Sequence, residues 1–193
     1  MLELFDSRVV LETRPFRVES LTVDLNGRRI EHQYFRINCP DWVNVVPLTS
    51  SGKILLIRQP RAGTMSDVLE IPGGAMEPDE KDATMTAVRE LEEETGFTSR
   101  RVIPLASINP NPAIMTNRLH MMVAFDCQPA TNRVHFPDPE EHISLEFVDP
   151  ADVDMLVRTG RINHALASLA LMLAMKYLPS SPPRATAREE ESS

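Results

Sequence analysis

Gly74 to Phe97 reads GAMEPDEKDATMTAVRELEEETGF, and the rest of the chain is read outward from it. The second half of the stretch, Asp82 to Thr95, holds no Gly or Pro. It predicts a helix, with Asp82 as N-cap and Gly96 as the stop. Upstream, the apolar run Val68-Leu69-Glu70-Ile71 leads into Pro72-Gly73-Gly74. That order predicts a strand entering a tight glycine turn, where the backbone can take positive φ and approach a ligand closely.

On the helix, Glu90, Glu93 and Glu94 fall at i, i+3 and i+4 and share one face. Val88, Leu91 and Thr95 point the other way and are placed to pack on a sheet. Like charges at this spacing repel, so the cluster costs stability unless a cation neutralises it. Grouped hard oxygens suit Mg²⁺ or Mn²⁺. Three Glu on an arbitrary helix more often form a solvated acidic face. The Gly turn upstream and Arg89 beside the cluster shift the weight towards a metal site.

These residues resemble the Nudix box: Gly, five residues, Glu, seven residues, then Arg-Glu-apolar-x-Glu-Glu-x-Gly-apolar. Gly74 and Glu80 match its opening, and Arg89-Glu90-Leu91, Glu93-Glu94 and Gly96-Phe97 match its close. One departure is clear: eight residues separate Glu80 from Arg89. The helical half is intact, which puts the extra residue in the loop near Lys81. It bears on whether Glu80 still reaches Arg89, a pair the family uses to brace loop against helix. The resemblance implies metal ligation by Glu90, Glu93 and Glu94 with the Gly73 carbonyl, and places Arg89 and Glu93 in the catalytic set.

A chain of 193 residues suits one well-buried domain with a small appendage. The net charge of −8 comes with no basic block, which argues against a nonspecific nucleic-acid groove. Acting on an anionic substrate, such a chain needs a metal to reconcile the charges. Cys39 and Cys127 lack metal-ligand spacing and predict reduced thiols in a cytoplasmic setting. The start, MLELFDSRVV, has no signal-peptide pattern. Leu166 to Leu178 is too short for a membrane span and is interrupted by Lys176.

Before the box, a short strand is expected around Ser7 to Leu11. Two longer runs, Phe16 to Leu25 and Arg28 to Ile37, flank Asn26-Gly27, a strong hairpin signal. Trp42 to Leu48 and Lys53 to Arg58 form a second hairpin, followed by Gln59 to Gly63 as a loop. After the box, strands are expected at Arg101 to Ile108, Arg118 to Phe125 and Ile143 to Val148. Helices follow, from Pro150 and from Gly160 to Leu178. The Pro- and Ser-rich end, 179–193, reads as a disordered tail. The resulting division is an N-terminal antiparallel β appendage over 1–41, a catalytic domain over 42–178, and the tail. The fold class is α/β, and the resemblance implies an α/β/α sandwich around a mixed sheet.

Three further stretches resemble the ADP-ribose pyrophosphatase branch of the Nudix enzymes. The N-terminal segment stands where that branch builds a homodimer. Ile57-Arg58-Gln59-Pro60-Arg61 is similar to its Val-Arg-Gln-Tyr-Arg stretch, and Asn111 to Thr116, with Pro112 and Met115, to its Ser-Pro-Gly-Phe-Met-Thr stretch. Asn117 stands where many members carry Glu. Trp42, the single Trp, reads either as a core residue or as a nucleobase platform. Arg58 and Arg61 read either as solvated surface or as a fork on phosphate. The branch places its acid–base Glu on a loop before the last core strand, where Glu140 and Glu141 both qualify and Glu141 is favoured. His120 and His142 read as structural. The resemblance implies metal-dependent hydrolysis of nucleoside diphosphate sugars such as ADP-ribose or GDP-mannose. The alternatives are a silent nucleotide-sugar sensor and a housecleaning phosphohydrolase for modified nucleotides.

Overall fold

The computed structural model describes residues 1–178 apart from 138 and 141. Glu141 and the expected tail therefore lie outside the described residues. The N-terminal unit is a three-stranded antiparallel sheet of β1 (Leu2–Glu12), β2 (Arg17–Leu25) and β3 (Arg28–Asn38), in that order. β2 and β3 turn at Asn26-Gly27, whose φ values of 54° and 82° are the left-handed pair a tight hairpin demands. β1 is longer than the expected Ser7–Leu11, because pairing with β2 runs from Leu2 to Glu12, with register shifts that leave Phe5 and Val10 out of the ladder. The unit meets the rest of the chain at Ile37, which bonds to Ile114 and Thr116.

The larger sheet holds β4 (Trp42–Thr49), β5 (Ile54–Arg61), β6 (Ser66–Glu70), β7 (Gly73–Ala75), β8 (Phe97–Thr98), β9 (Arg101–Ile108), β10 (Leu119–Pro129) and β11 (Ser144–Val148). Its main path runs β11-β5-β4-β10-β8, with β6 on β5, β7 on β4 and β9 on β10. β10 lies parallel to β4 and every other pair is antiparallel, so the sheet is mixed. One face packs Val46, Leu56, Leu69 and Met121 against α2 (Val153–Arg158) and α3 (Ala165–Ala174). The other packs Val43, Val45 and Met122 against Ala87 and Leu91 of α1 (Ala83–Thr95). Helices on both faces of a mixed sheet make the α/β/α sandwich.

Three local expectations change. β5 runs on through Gln59-Pro60-Arg61, which pair with Val68, Asp67 and Ser66 instead of looping. Beyond Arg58 that strand pairs on one side only, a setting that tolerates a proline lacking its N–H. Gly73 and Gly74 form a strand and are not among the glycines with positive φ. Their need is space: a Cβ on Gly73 would lie 2.8 Å from the Asn44 Cα, and one on Gly74 would lie 2.7 Å from the Glu90 Cδ. Val88 is only half-buried, and Ala87 takes the packing position beside Leu91.

β4 and β5 pair only at Leu48 and Ile54. Residues 66–75 fill the space beyond, first pairing with β5 and then with β4. The glycines thereby come to lie at the C-terminal half of α1. Leu91, 0 % exposed, holds that helix to the sheet. Leu91→Ala is expected to cost about 3 kcal/mol, read as a lowered urea midpoint with the slope unchanged.

Candidate active site

The helix α1 is closed at both ends as its sequence requires. The Asp82 carboxylate accepts from the N–H groups of Thr84 and Met85, and Gly96 at φ 72° returns its N–H to the Glu92 carbonyl at 2.9 Å. Between these ends, Arg89 ties the site together. Its side chain is 13 % exposed. Its Nε donates to Glu80 at 2.8 Å, Nη1 to Glu90 at 2.8 Å and Glu93 at 2.7 Å, and Nη2 to the Ala75 carbonyl at 3.0 Å. The extra loop residue does not break the Glu80–Arg89 brace.

Charge is arranged unevenly around this arginine. Burial alone would raise the Glu80 carboxyl, but Arg89, the Glu77 N–H and the Thr86 hydroxyl hold it down at about 2. Glu90 is 8 % exposed, not on an open face as the bare helix pattern implied. Burial, reinforced by Glu93 and opposed by Arg89, pushes its carboxyl up to about 7. Burial would lower the Arg89 guanidinium, but the carboxylates of Glu80, Glu90 and Glu93 hold it well above its ordinary range. Glu94 accepts from the Gly73 N–H at 2.8 Å and from Gln59 at 3.4 Å.

The carboxylates of Glu90, Glu93 and Glu94 thus stand along one helix, with Gly73 against Glu94 and Gly74 against Glu90. Among the described residues, no group of three acidic, His or Cys side chains is already arranged to hold a metal ion. Arg89 instead bridges Glu90 and Glu93. Three carboxylates on one helix face, one of them on the buried Glu90, suit a hard divalent cation.

A cavity of about 300 Å³ opens beside Gly73. Trp42, Asn44, Arg61, Glu70 and His164 line it. Arg61 Nε donates to the buried Glu70 carboxylate at 2.7 Å, and His164 Nδ1 stands 3.6 Å from the other Glu70 oxygen. His164 also caps α3, accepting from the Ala167 N–H at 3.3 Å. A second, largely apolar cavity of about 550 Å³ lies where the N-terminal sheet meets the core. Trp42 and Ala75 wall both cavities, and Met115 lines the second.

The structure separates the remaining candidates. Arg61 joins the first cavity, but Arg58 does not. Arg58 shares the sheet face of Leu69, which packs towards α3, and donates to Glu146 at 3.1 Å. Residues three apart in a strand face opposite ways, so one fork of both arginines is excluded once β5 continues through Arg61. Pro112 is exposed and lines neither cavity. His120 stands 3.3 Å from Asp41. Glu140 is exposed on the loop before β11. Glu70, His164 and Asn44 were missed from sequence. Glu70 had a signal, since a carboxylate inside the buried run Val68–Ile71 requires a partner. His164 and Asn44 had none.

The family model described as the NUDIX domain matches residues 40–168. The chain belongs to the Nudix family. Hydrolases of this family generally need divalent metals. This Nudix chain is 28 % identical over 146 residues to the ADP-ribose pyrophosphatase of Bacillus subtilis (strain 168), covering 76 % of this chain and 77 % of that protein. It is 31 % identical over 184 residues to the methanol dehydrogenase activator of Bacillus methanolicus, covering 92 % and 95 %. A crystal structure of an ADP compounds hydrolase superposes with a TM-score of 0.79 at 27 % identity, over 91 % of this chain and 93 % of that one. The protein is a Nudix hydrolase similar to ADP-ribose pyrophosphatases. No helix among its described residues is long and apolar enough to cross a membrane.

The depressed Glu80 carboxyl sets an acid limit. A group held below its ordinary value of 4.5 stabilises the fold above that pH, and the contribution is lost as pH falls towards about 2. Glu80→Gln should cost about 2 kcal/mol at pH 7 and flatten this part of the stability profile, measured by urea unfolding from pH 7 to pH 2.

Proposed function

We propose that this Nudix hydrolase cleaves the pyrophosphate bond of nucleoside diphosphate sugars, ADP-ribose foremost and GDP-mannose as a second substrate. The observation that carries this reading is the placement of a cavity walled by Trp42, Arg61 and His164 directly beside Gly73 and the acidic helix. The similarity to an ADP-ribose pyrophosphatase and to an ADP compounds hydrolase supports it.

Mg²⁺ or Mn²⁺ would be held by Glu90, Glu93 and Glu94 with the Gly73 carbonyl. When bound, such a cation neutralises the diphosphate and lowers the pKa of a bound water. The chain's own residues do the rest. Arg89 fixes Glu90 and Glu93 and anchors the loop through Glu80. Trp42 offers an aromatic face and Arg61, oriented by Glu70, a cation for phosphate. A loop carboxylate, Glu141 ahead of Glu140, takes a proton from the attacking water. Water oxygen bonds to one phosphorus and the bridging P–O bond breaks, so ADP-ribose yields AMP and ribose 5-phosphate.

The same reading includes a homodimer through the N-terminal sheet. β1 is exposed along its whole length, and Leu4, Phe5, Val9, Val10 and Leu11 are each 45 % or more open. An apolar edge strand of this kind calls for a cover. A second copy of the chain is the proposed one. Phe5→Lys with Val10→Lys should convert a dimer to a monomer by light scattering, and a wild-type monomer would refute the assignment.

The deciding assay follows phosphomonoester release from ADP-ribose, GDP-mannose, ADP-glucose, UDP-glucose, NADH, CoA and dGTP with Mg²⁺ or Mn²⁺. Turnover centred on nucleoside diphosphate sugars is expected; activity confined to dGTP or CoA would overturn the substrate class. Glu94→Gln should lower kcat by about 100-fold or more with an unchanged melting temperature, because Gln keeps an acceptor for the Gly73 N–H. Wild-type turnover by this variant at saturating Mg²⁺ would remove Glu94 from the ligand set.

A further inference from the structure

Glu92 occupies the one position inside Arg89–Glu94 that the box pattern leaves open, two residues from Glu90 and so on the far side of α1. It is nonetheless 6 % exposed. A carboxylate buried there must be hydrogen-bonded. Its Oε1 accepts from the backbone N–H groups of Val134 and His135. Neighbouring contacts hold the same segment. Arg133 Nη2 donates to the Glu93 carbonyl at 2.6 Å and its Nε to the His135 carbonyl at 2.8 Å. The Ala130 N–H donates to the Gly96 carbonyl at 2.9 Å. A guanidinium over the last turn also suits the negative end of the helix dipole.

What holds this segment is polar. Val134 and Phe136 are 70 % and 63 % exposed, so burial of their side chains contributes little. Glu140 follows Phe136 by four residues, a reach of at most about 14 Å. The anchored segment therefore bounds how far the Glu140 backbone can lie from α1.

We propose that Glu92 is a positioning residue, which clamps Val134 and His135 to the back of α1 and so constrains the chain that leads to Glu140. The inference rests on the reading above that a loop carboxylate does the acid–base work. The clamp joins that loop to the helix bearing Glu90, Glu93 and Glu94, so one rigid element sets both halves of the site.

The test uses the full chain with Mg²⁺ and whichever sugar nucleotide of the panel it turns over fastest, together with hydrogen exchange at the Val134 and His135 amides. Glu92→Ala should lower kcat by about 10- to 100-fold with KM changed by less than about two-fold, and should speed exchange at both amides. Glu92→Gln keeps the accepting oxygen and should recover most of the rate and the protection. In a Glu140→Gln/Glu141→Gln background, Glu92→Ala should cost no further rate. An equal loss in both backgrounds, a wild-type kcat for Glu92→Ala, or unchanged exchange would each overturn the proposal. A wild-type rate for Glu140→Gln/Glu141→Gln would instead overturn the acid–base reading and, with it, the purpose assigned to the clamp. If Glu92→Ala does not fold, Arg133→Ala carries the same measurements.

Discussion

The site depends on one guanidinium. Arg89 is largely enclosed and gives its donors to three carboxylates and a backbone carbonyl. Glu90 and Glu93 lie three residues apart on a helix, where two carboxylates alone would repel. Arg89 lets them coexist, and Glu80 completes its neutralisation from the loop. Removing one member of such a buried group leaves the others uncompensated. The same contacts that make the acidic face possible therefore also hold the loop of residues 75–80 against the helix.

The sheet supplies the second condition. Because β4 and β5 meet only at Leu48 and Ile54, the chain from Ser66 to Ala75 can pass between them and bring Gly73 and Gly74 under α1. The Val43 and Asn44 backbone leaves no room for a side chain at Gly73, and one at Gly74 would displace the Glu90 carboxylate. The approach places the Gly73 N–H on Glu94 and opens the neighbouring cavity to Trp42, Arg61 and His164. Backbone proximity and the neighbouring cavity are consequences of one strand arrangement.

Both ends of α1 are then put to use. Its N-terminal half is fastened to the loop of residues 75–80 through Glu80, which meets Thr86 and Arg89. Its last turn is fastened to the segment from Ala130 to Phe136 through Glu92, Arg133 and Gly96.

Much of this was legible in the residues. The helix from Ala83 to Thr95, its caps, the Asn26-Gly27 hairpin and the shared face of Glu90, Glu93 and Glu94 follow from local periodicity, capping and turn chemistry, which act within a few residues. The Nudix box carried the family. Other features hinged on partners distant along the chain. Reading Gln59 to Gly63 as a loop hid the strand alternation that sends Arg58 to Glu146 and Arg61 to Glu70. The positive-φ turn expected at Gly73 and Gly74 is a strand instead, crowded by Asn44 and the Glu90 carboxylate. Glu92 stands at the position the box pattern leaves open, and only the fold brings residues 134 and 135 onto it. The sequence by itself determined the elements and the acidic helix face, because those are set by spacing along one segment. Only the tertiary structure decided which charges meet, because a contact spanning some 40 residues, such as Glu92 with Val134, depends on how the sheet brings separate segments together.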